Sequence, residues 1–108
     1  MNFTELSALL DEFYEKPWKF RMKLFSMDYP TNWQSAIWSP TDNYIENHSC
    51  LTQFSDLENI EINPIEDRYI GRLVPNRIYD HSQEVFDILK VHTVEYKIQQ
   101  NLILIKVQ

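Results

Sequence analysis

The three histidines are the side chains best suited to acid–base chemistry, and they stand at positions 48, 81 and 92. Two histidines meeting in a cleft would suggest general acid–base catalysis. His48 and Cys50 are two metal-ligand types on one side of an extended segment, but no second pair with metal-ligand spacing follows, which favours a polar loop. Asp80 could orient His81 as a base, although adjacent side chains usually point apart. An enzyme that uses His48, His81 or His92 therefore remains an alternative.

The scarcity of glycine and cysteine excludes several kinds of site. The chain has one glycine, Gly71, and one cysteine, Cys50. Phosphate-binding loops and dinucleotide fingerprints need several glycines, and the nucleophile elbow of hydrolases needs two. A single cysteine excludes an internal disulfide and every paired-cysteine zinc or redox motif. We therefore predict no catalytic residues, no metal and no cofactor.

The stretch from Gly71 to Arg77, GRLVPNR, is the segment that most resembles a specific motif. Its two arginines, together with Arg68, could bind a carboxylate or a phosphate, because guanidinium groups recognise both in a bidentate manner. The alternative is that these arginines pair with the chain's surplus acids, and we favour that interpretation.

Charge is the strongest signal in the sequence. The chain has 108 residues and a formal net charge of −6, and the acids are unevenly distributed. No lysine or arginine occurs between Ser26 and Asp67, where eight acids stand. Such a stretch is either a solvated acidic face or a negative patch that attracts a basic partner and speeds its encounter.

Aromatic residues within the acidic stretch add to the binding hypothesis. Aromatic anchors inside a charged rim are typical of tight protein interfaces, although core packing is the alternative explanation for each one. The residues that we predict to contact a partner are five acids with two aromatic anchors: Asp42, Glu46, Asp56, Glu58, Glu61, Tyr44 and Trp38.

The segment from Lys16 to Lys23 has the opposite charge. Bases alternating with Trp18 and Phe20 could bind single-stranded nucleic acid. The alternation places the aromatic side chains on the face opposite the bases, however, and an acidic chain repels a polyanion. We expect this basic face to pair with the acidic first helix or with the acidic middle of the chain. Nucleic-acid binding remains the weaker alternative.

The N-terminal half begins with a helix followed by a strand. Asn2 and Glu5 form a capping-box pattern, apolar residues then recur at helical spacing, and Pro17 ends the helix by Lys16. Residues 18–24 alternate between apolar and basic side chains, which predicts a strand. A second strand around Trp33 to Trp38 and a short strand at residues 60–62 are expected from weaker patterns.

The C-terminal third has the clearest periodicity, and we expect the other elements to pack on it. A strand is predicted over residues 68–74, and a helix from about Ser82 to Lys90, capped by Asp80 or Ser82. Residues 94–98 alternate, and after a polar break residues 102–107 are almost continuously apolar. These runs predict an antiparallel hairpin, Val94 to Val107, whose second strand is central and covered on both faces. The sequence thus predicts one α+β domain spanning residues 1–108.

Composition also suggests a compartment. The longest apolar run, Leu102 to Ile105, is too short to cross a bilayer, and the N-terminus lacks the pattern of a signal peptide. With its single cysteine, the chain is expected to be a cytoplasmic protein with no membrane or nucleic-acid partner.

At the level of class, the chain resembles the small bacterial immunity proteins that neutralise secreted toxins. The resemblance rests on its size, the base-free stretch Ser26 to Asp67 with its aromatic residues, and the absence of phosphate-loop glycines. It implies a protein that binds a basic toxin domain, for instance a nuclease, and occludes its active or substrate-binding surface. The resemblance carries over no individual residues.

Overall fold

The computed structural model describes residues 2–14, 16–34, 43–46 and 51–108. It contains two α-helices, α1 (Phe3–Phe13) and α2 (Ser82–Val91). The predicted capping box begins α1: the Asn2 side chain accepts a hydrogen bond from the Glu5 N–H at 2.8 Å, and the Glu5 carboxylate accepts one from the Asn2 N–H at 3.3 Å. Before α2, Asp80 accepts a hydrogen bond from the Ser82 N–H at 2.9 Å. The start of α1 therefore follows the sequence prediction. The predicted cap of α2 by Asp80 or Ser82 is wrong, because the N-cap residue is His81 and its side chain makes no capping hydrogen bond.

In the described part of the chain, eight strands form one main sheet and two separate two-stranded sheets. The strands are β1 (Lys19–Leu24), β2 (Tyr44–Glu46), β3 (Leu51–Gln53), β4 (Leu57–Asn63), β5 (Ile65–Arg68), β6 (Arg77–Asp80), β7 (Lys97–Gln99) and β8 (Leu102–Lys106). The main sheet is antiparallel, in the order β1-β4-β8-β7. Two antiparallel pairs, β2-β3 and β5-β6, lie outside it.

The hydrophobic core lies between the helices and one face of the main sheet. Leu6, Leu9, Leu10 and Phe13 of α1 are buried, as are Val85 and Leu89 of α2, and they belong to one cluster with the alternate apolar residues of β1, β4 and β8. Trp18 is fully buried with its ring edge-on to Phe13, at a centroid distance of 5.7 Å. The period-two pattern of β1 is therefore explained by this face.

The other face of the main sheet carries polar and charged side chains. Arg21 and Lys23 of β1 point away from the core and form ion pairs with β4. A register shift between Lys23 and Leu24 leaves Glu58 as an extra residue of β4, and Glu58 lies 3.0 Å from the Lys23 Nζ. Such bulges redirect a side chain, here towards a base.

The structure confirms the predicted fold class. The chain is α+β, with an N-terminal helix, a later helix and a C-terminal strand pair. The turn of that pair contains Gln100 and Asn101, both with positive φ, as in a two-residue hairpin turn. Strand β8 is central, as predicted, although Leu102 and Leu104 on its open face are only half-buried.

The predicted strand over residues 68–74 is wrong. Strand β5 already ends at Arg68, residues 69–76 form a loop, and the chain returns as β6. The apolar residues of the loop face solvent instead of a sheet, and Pro75 cannot donate a ladder hydrogen bond. Of the second strand expected around Trp33, Gln34 makes a bridge to Phe20, and residues 35–38 lie outside the described part of the chain. Neither helix has the length and apolar character to cross a membrane.

Candidate protein-binding surface

Two of the predicted contact residues come together on the β2-β3 pair. Ile45 and Thr52 are opposite each other and buried, so their neighbours point outward. Tyr44 and Glu46 of β2 thus share an outer face with Leu51, which is 63% exposed. Asp56 is exposed in the short 3-10 turn Phe54–Asp56 that follows β3. We call Tyr44, Glu46, Leu51 and Asp56 the acidic surface. The predicted residues Trp38 and Asp42 lie outside the described segments.

The other two predicted acids are neutralised within the chain. Glu61 accepts a hydrogen bond from Arg21 at 2.5 Å, and Glu58 accepts one from Lys23 at 3.0 Å. The expected pairing of the basic strand with the acidic middle of the chain is therefore confirmed. Arg21 also lies over the Trp33 ring, at 4.6 Å from its centroid. Because their charges are compensated, Glu58 and Glu61 contribute little to an attractive field.

The histidines do not converge in the described part of the chain. His81 immediately precedes α2 and His92 follows it, so the helix separates them by about 15 Å at 1.5 Å per residue. The His92 Nε2 lies 3.0 Å from a Glu12 carboxylate oxygen of α1, although it makes no hydrogen bond of normal geometry in the described part of the chain. His48 and Cys50 fall among the residues that the structure does not describe. Within the described ranges, no group of three metal-ligating side chains comes together.

The most unusual surface lies on the β5-β6 hairpin. Several large apolar side chains there are exposed to solvent, and Leu73 is 94% exposed at the turn between the strands. Exposed apolar side chains mark an interaction site when they form a contiguous patch of more than about a few hundred Å². We call the following residues the hairpin surface: Tyr69, Ile70, Arg72, Leu73, Val74, Arg77 and Ile78.

A network of polar side chains holds the base of this hairpin. Glu66 accepts two hydrogen bonds from Arg68, at 2.9 and 2.8 Å, and lies 2.8 Å from the His81 Nε2. The Arg68 guanidinium also lies over the Tyr79 ring, at 4.3 Å from its centroid. His81 stacks on Tyr79 and contacts the buried Trp18, at centroid distances of 6.3 and 5.8 Å. The hairpin is therefore anchored to the core at one end.

Hydrogen bonds shift the pKa values of three side chains at the base of the hairpin. The hydrogen bonds from Arg68, and then from His81, lower the pKa of Glu66 from 4.5 to about 2. The same pairing raises the pKa of Arg68. Hydrogen bonds from Ser82 lower the pKa of Asp80. At neutral pH Glu66 is therefore ionised, and its negative charge faces the Arg68 guanidinium.

Arg72 and Arg77 differ from Arg68 in having no partner. Neither forms an ion pair with another residue in the described segments, and both are exposed. The expectation that these arginines pair with surplus acids is therefore confirmed for Arg68 alone. The sequence singles out GRLVPNR, but its exposed apolar residues belong partly to a run whose composition favours a strand. Its proline and glycine, which interrupt strands, were the available signal.

Comparison with known proteins identifies the family to which the chain belongs. A family model described as "Family of unknown function (DUF6678)" matches residues 1–106. The chain belongs to this family. No curated protein and no solved structure matches the chain. The DUF6678 match spans α1, the whole main sheet and both two-stranded sheets, so it includes the hairpin surface and the acidic surface.

Proposed function

We propose that this DUF6678 protein acts by binding another protein through its hairpin surface, without catalysis of its own. The observation that carries this proposal is the exposure of the hairpin's apolar side chains, which reaches 94% for Leu73. Burying such a side chain in a complex contributes about 1.5–3 kcal/mol relative to leaving it in water. Side chains exposed in this way can therefore anchor a protein partner.

The network at the base of the hairpin supports the same function. Binding costs free energy when loops and side chains must be ordered in the complex. Here Glu66, Arg68 and His81 already fix the strands relative to Trp18 in the core. The strands that carry the hairpin surface are therefore ordered before a partner binds, which favours affinity.

The specific form of this function that we propose is neutralisation of a basic toxin domain, as in immunity proteins. The net charge of −6 and the exposed carboxylates of Glu46 and Asp56 attract a cationic partner. A nuclease presents a cationic surface to hold phosphates, and carboxylates on a folded domain can occupy that surface and exclude the substrate. The hairpin surface then supplies the apolar anchor, and the acidic surface supplies orientation.

Affinity capture from the native host followed by mass spectrometry tests the proposal. Two variants form a matched pair, Ile78→Ser on the hairpin surface and Ile98→Ser on β7, because their side chains are 63% and 61% exposed. We expect one stoichiometric protein to be retained by the parent and by Ile98→Ser. Its recovery should fall with Ile78→Ser and disappear when Leu73→Ser is added.

Three results would count against the proposal. Nucleic acid in the eluate would favour the basic-strand alternative. Equal recovery with all variants would show that the hairpin surface is not the contact. Loss of biological activity in His81→Ala or His92→Ala, with partner binding and fold retained, would favour an enzyme.

A further inference from the structure

A groove between α1 and α2 is bordered mainly by acidic side chains, whereas the hairpin surface carries exposed arginines. It has a volume of about 430 Å³, and its apolar part is formed by Ile88 and Val91, of which Val91 is 76% exposed. Acids dominate its border, with one lysine, Lys16, that lies 3.3 Å from Glu84. The residues that line this α1–α2 groove are Glu12, Lys16, Glu84, Asp87, Ile88 and Val91.

The hairpin tip, the segment 72–74, is the complement of this groove. Its apolar side chains Leu73 and Val74 are flanked by Arg72, and Arg77 follows at the start of β6. The tip therefore offers two exposed cations around an apolar centre, whereas the groove offers acids around an apolar centre. Opposite charges around matching apolar centres give a contact its orientation as well as its affinity.

We propose that a second copy of this chain occupies the groove, with the hairpin tip of one copy seated between α1 and α2 of the other. The tip does not fill the groove of its own chain, because Leu73 is 94% exposed there. Two copies that exchange tips reciprocally form a closed twofold dimer, the commonest symmetric oligomer.

This inference rests on the proposed function, because the tip is part of the surface offered to the protein partner. Self-association then covers the exposed apolar side chains while the partner is absent, and the partner competes with the second copy for the tip. The structure thereby assigns a regulatory role to the α1–α2 groove. Free dimer and partner-bound monomer would be the two states.

Charge exchange between tip and groove tests the dimer with purified protein alone. The tip variant carries Arg72→Glu and Arg77→Glu, and the groove variant carries Glu12→Arg and Asp87→Arg. Sedimentation equilibrium from low micromolar to submillimolar concentration should show a dimer for the parent and a monomer for each variant. An equimolar mixture of the two variants should regain the dimer mass, because each tip then meets a groove of opposite charge. A chain that carries all four substitutions should also dimerise.

The mixture controls for misfolding, since only folded variants can restore the complex. A parent that stays monomeric at every concentration would overturn the inference. A groove variant that dimerises as well as the parent would show hairpin-to-hairpin contact instead. A mixture that stays monomeric, although both variants unfold in urea as cooperatively as the parent, would exclude the tip–groove pairing. The proposed function is tested separately: a monomeric parent that still captures its partner through Ile78 and Leu73 would overturn only the dimer.

Discussion

Arg77 lies directly opposite Arg68 in the β5-β6 ladder, although the chain has six more acids than bases. Like charges directly opposite each other destabilise an antiparallel pair. Glu66 compensates Arg68 with two hydrogen bonds, and no described acid compensates Arg77. The hairpin therefore retains a positive charge that lowers its own stability and that a bound carboxylate can neutralise.

Replacing Arg77 should separate stability from binding. We expect Arg77→Thr to raise the free energy of unfolding by about 0.2–1 kcal/mol, because it removes the repulsion from Arg68 and places a β-branched residue in the strand. Urea unfolding measures this change. Arg72→Thr is the control, since Arg72 lies in the turn and has no cross-strand neighbour, and it should leave stability unchanged. A loss of stability in Arg77→Thr would show that Arg77 has a structural partner.

The Glu66 network should make stability depend on pH in a defined range. Because the folded pKa of Glu66 is about 2 and its ordinary value is 4.5, its contribution is complete above pH 4.5 and is lost as the pH falls towards 2. The parent should therefore be more stable than Glu66→Gln at pH 6, and the difference should shrink between pH 4.5 and 2.

Urea unfolding of both proteins across this range provides the measurement. The pKa of Asp80 is also lowered, but Asp80 is present in parent and variant, so its contribution cancels in the difference. A difference that stays constant down to pH 2 would contradict the role of the Glu66 charge.

Two leucines should distinguish the core from the hairpin surface. Leu10 is fully buried in α1, whereas Leu73 is almost fully exposed. Leu10→Ala should cost about 2–5 kcal/mol of unfolding free energy, because it removes buried methyl groups and leaves a cavity. Leu73→Ala should change it by no more than about 0.5 kcal/mol, as is usual for surface positions. A large loss of stability in Leu73→Ala would mean that the hairpin surface is covered within the chain.

Reversing charge on the acidic surface should act on the association rate. Once a partner has been isolated, we expect Glu46→Lys with Asp56→Lys to slow its association and to flatten the salt dependence of the rate, because long-range attraction is screened beyond about 8 Å at physiological salt. Truncation of a hairpin anchor such as Leu73 should instead speed dissociation.

Stopped-flow binding at low and high salt separates the two effects. Glu5→Lys is unsuitable as a control because Glu5 is part of the α1 capping box, whereas Glu95→Lys reverses an exposed acid outside both surfaces. If the doubly reversed variant associates as fast as the parent at low salt, the acidic surface is only a solvated face.

The elements with strong local signals could be predicted from the sequence, and those that depend on distant partners could not. The capping pattern of Asn2 and Glu5 and the alternation from Trp18 to Leu24 depend on near neighbours, and both appear as predicted. The run from Arg68 to Val74 is rich in residues that favour strands, and the sequence does not show that nothing covers it. Local pattern thus identified the core, whereas recognition of the hairpin surface needed the tertiary structure.

The candidate site shows the same limit. Glu58 and Glu61 look available in a segment without bases, because their partners Lys23 and Arg21 stand 35 and 40 positions earlier in the chain. Pairing between β1 and β4 brings them together. Charge counted along a sequence therefore overestimates the charge that a folded surface presents.

The order of strands in the main sheet has a consequence for how the chain folds. The central strand β4 pairs with β1, far before it in sequence, and with β8, far after it: Lys19 lies opposite Asn63, and Asn59 opposite Lys106. Each pairing closes a long loop and loses chain entropy before its contacts form, which slows folding relative to a helical domain of this length. The tight β7-β8 turn closes the shortest loop in the sheet and needs no distant segment. We therefore expect the transition state to contain this hairpin with α2, before the long loops of the β1-β4 and β4-β8 pairings have closed.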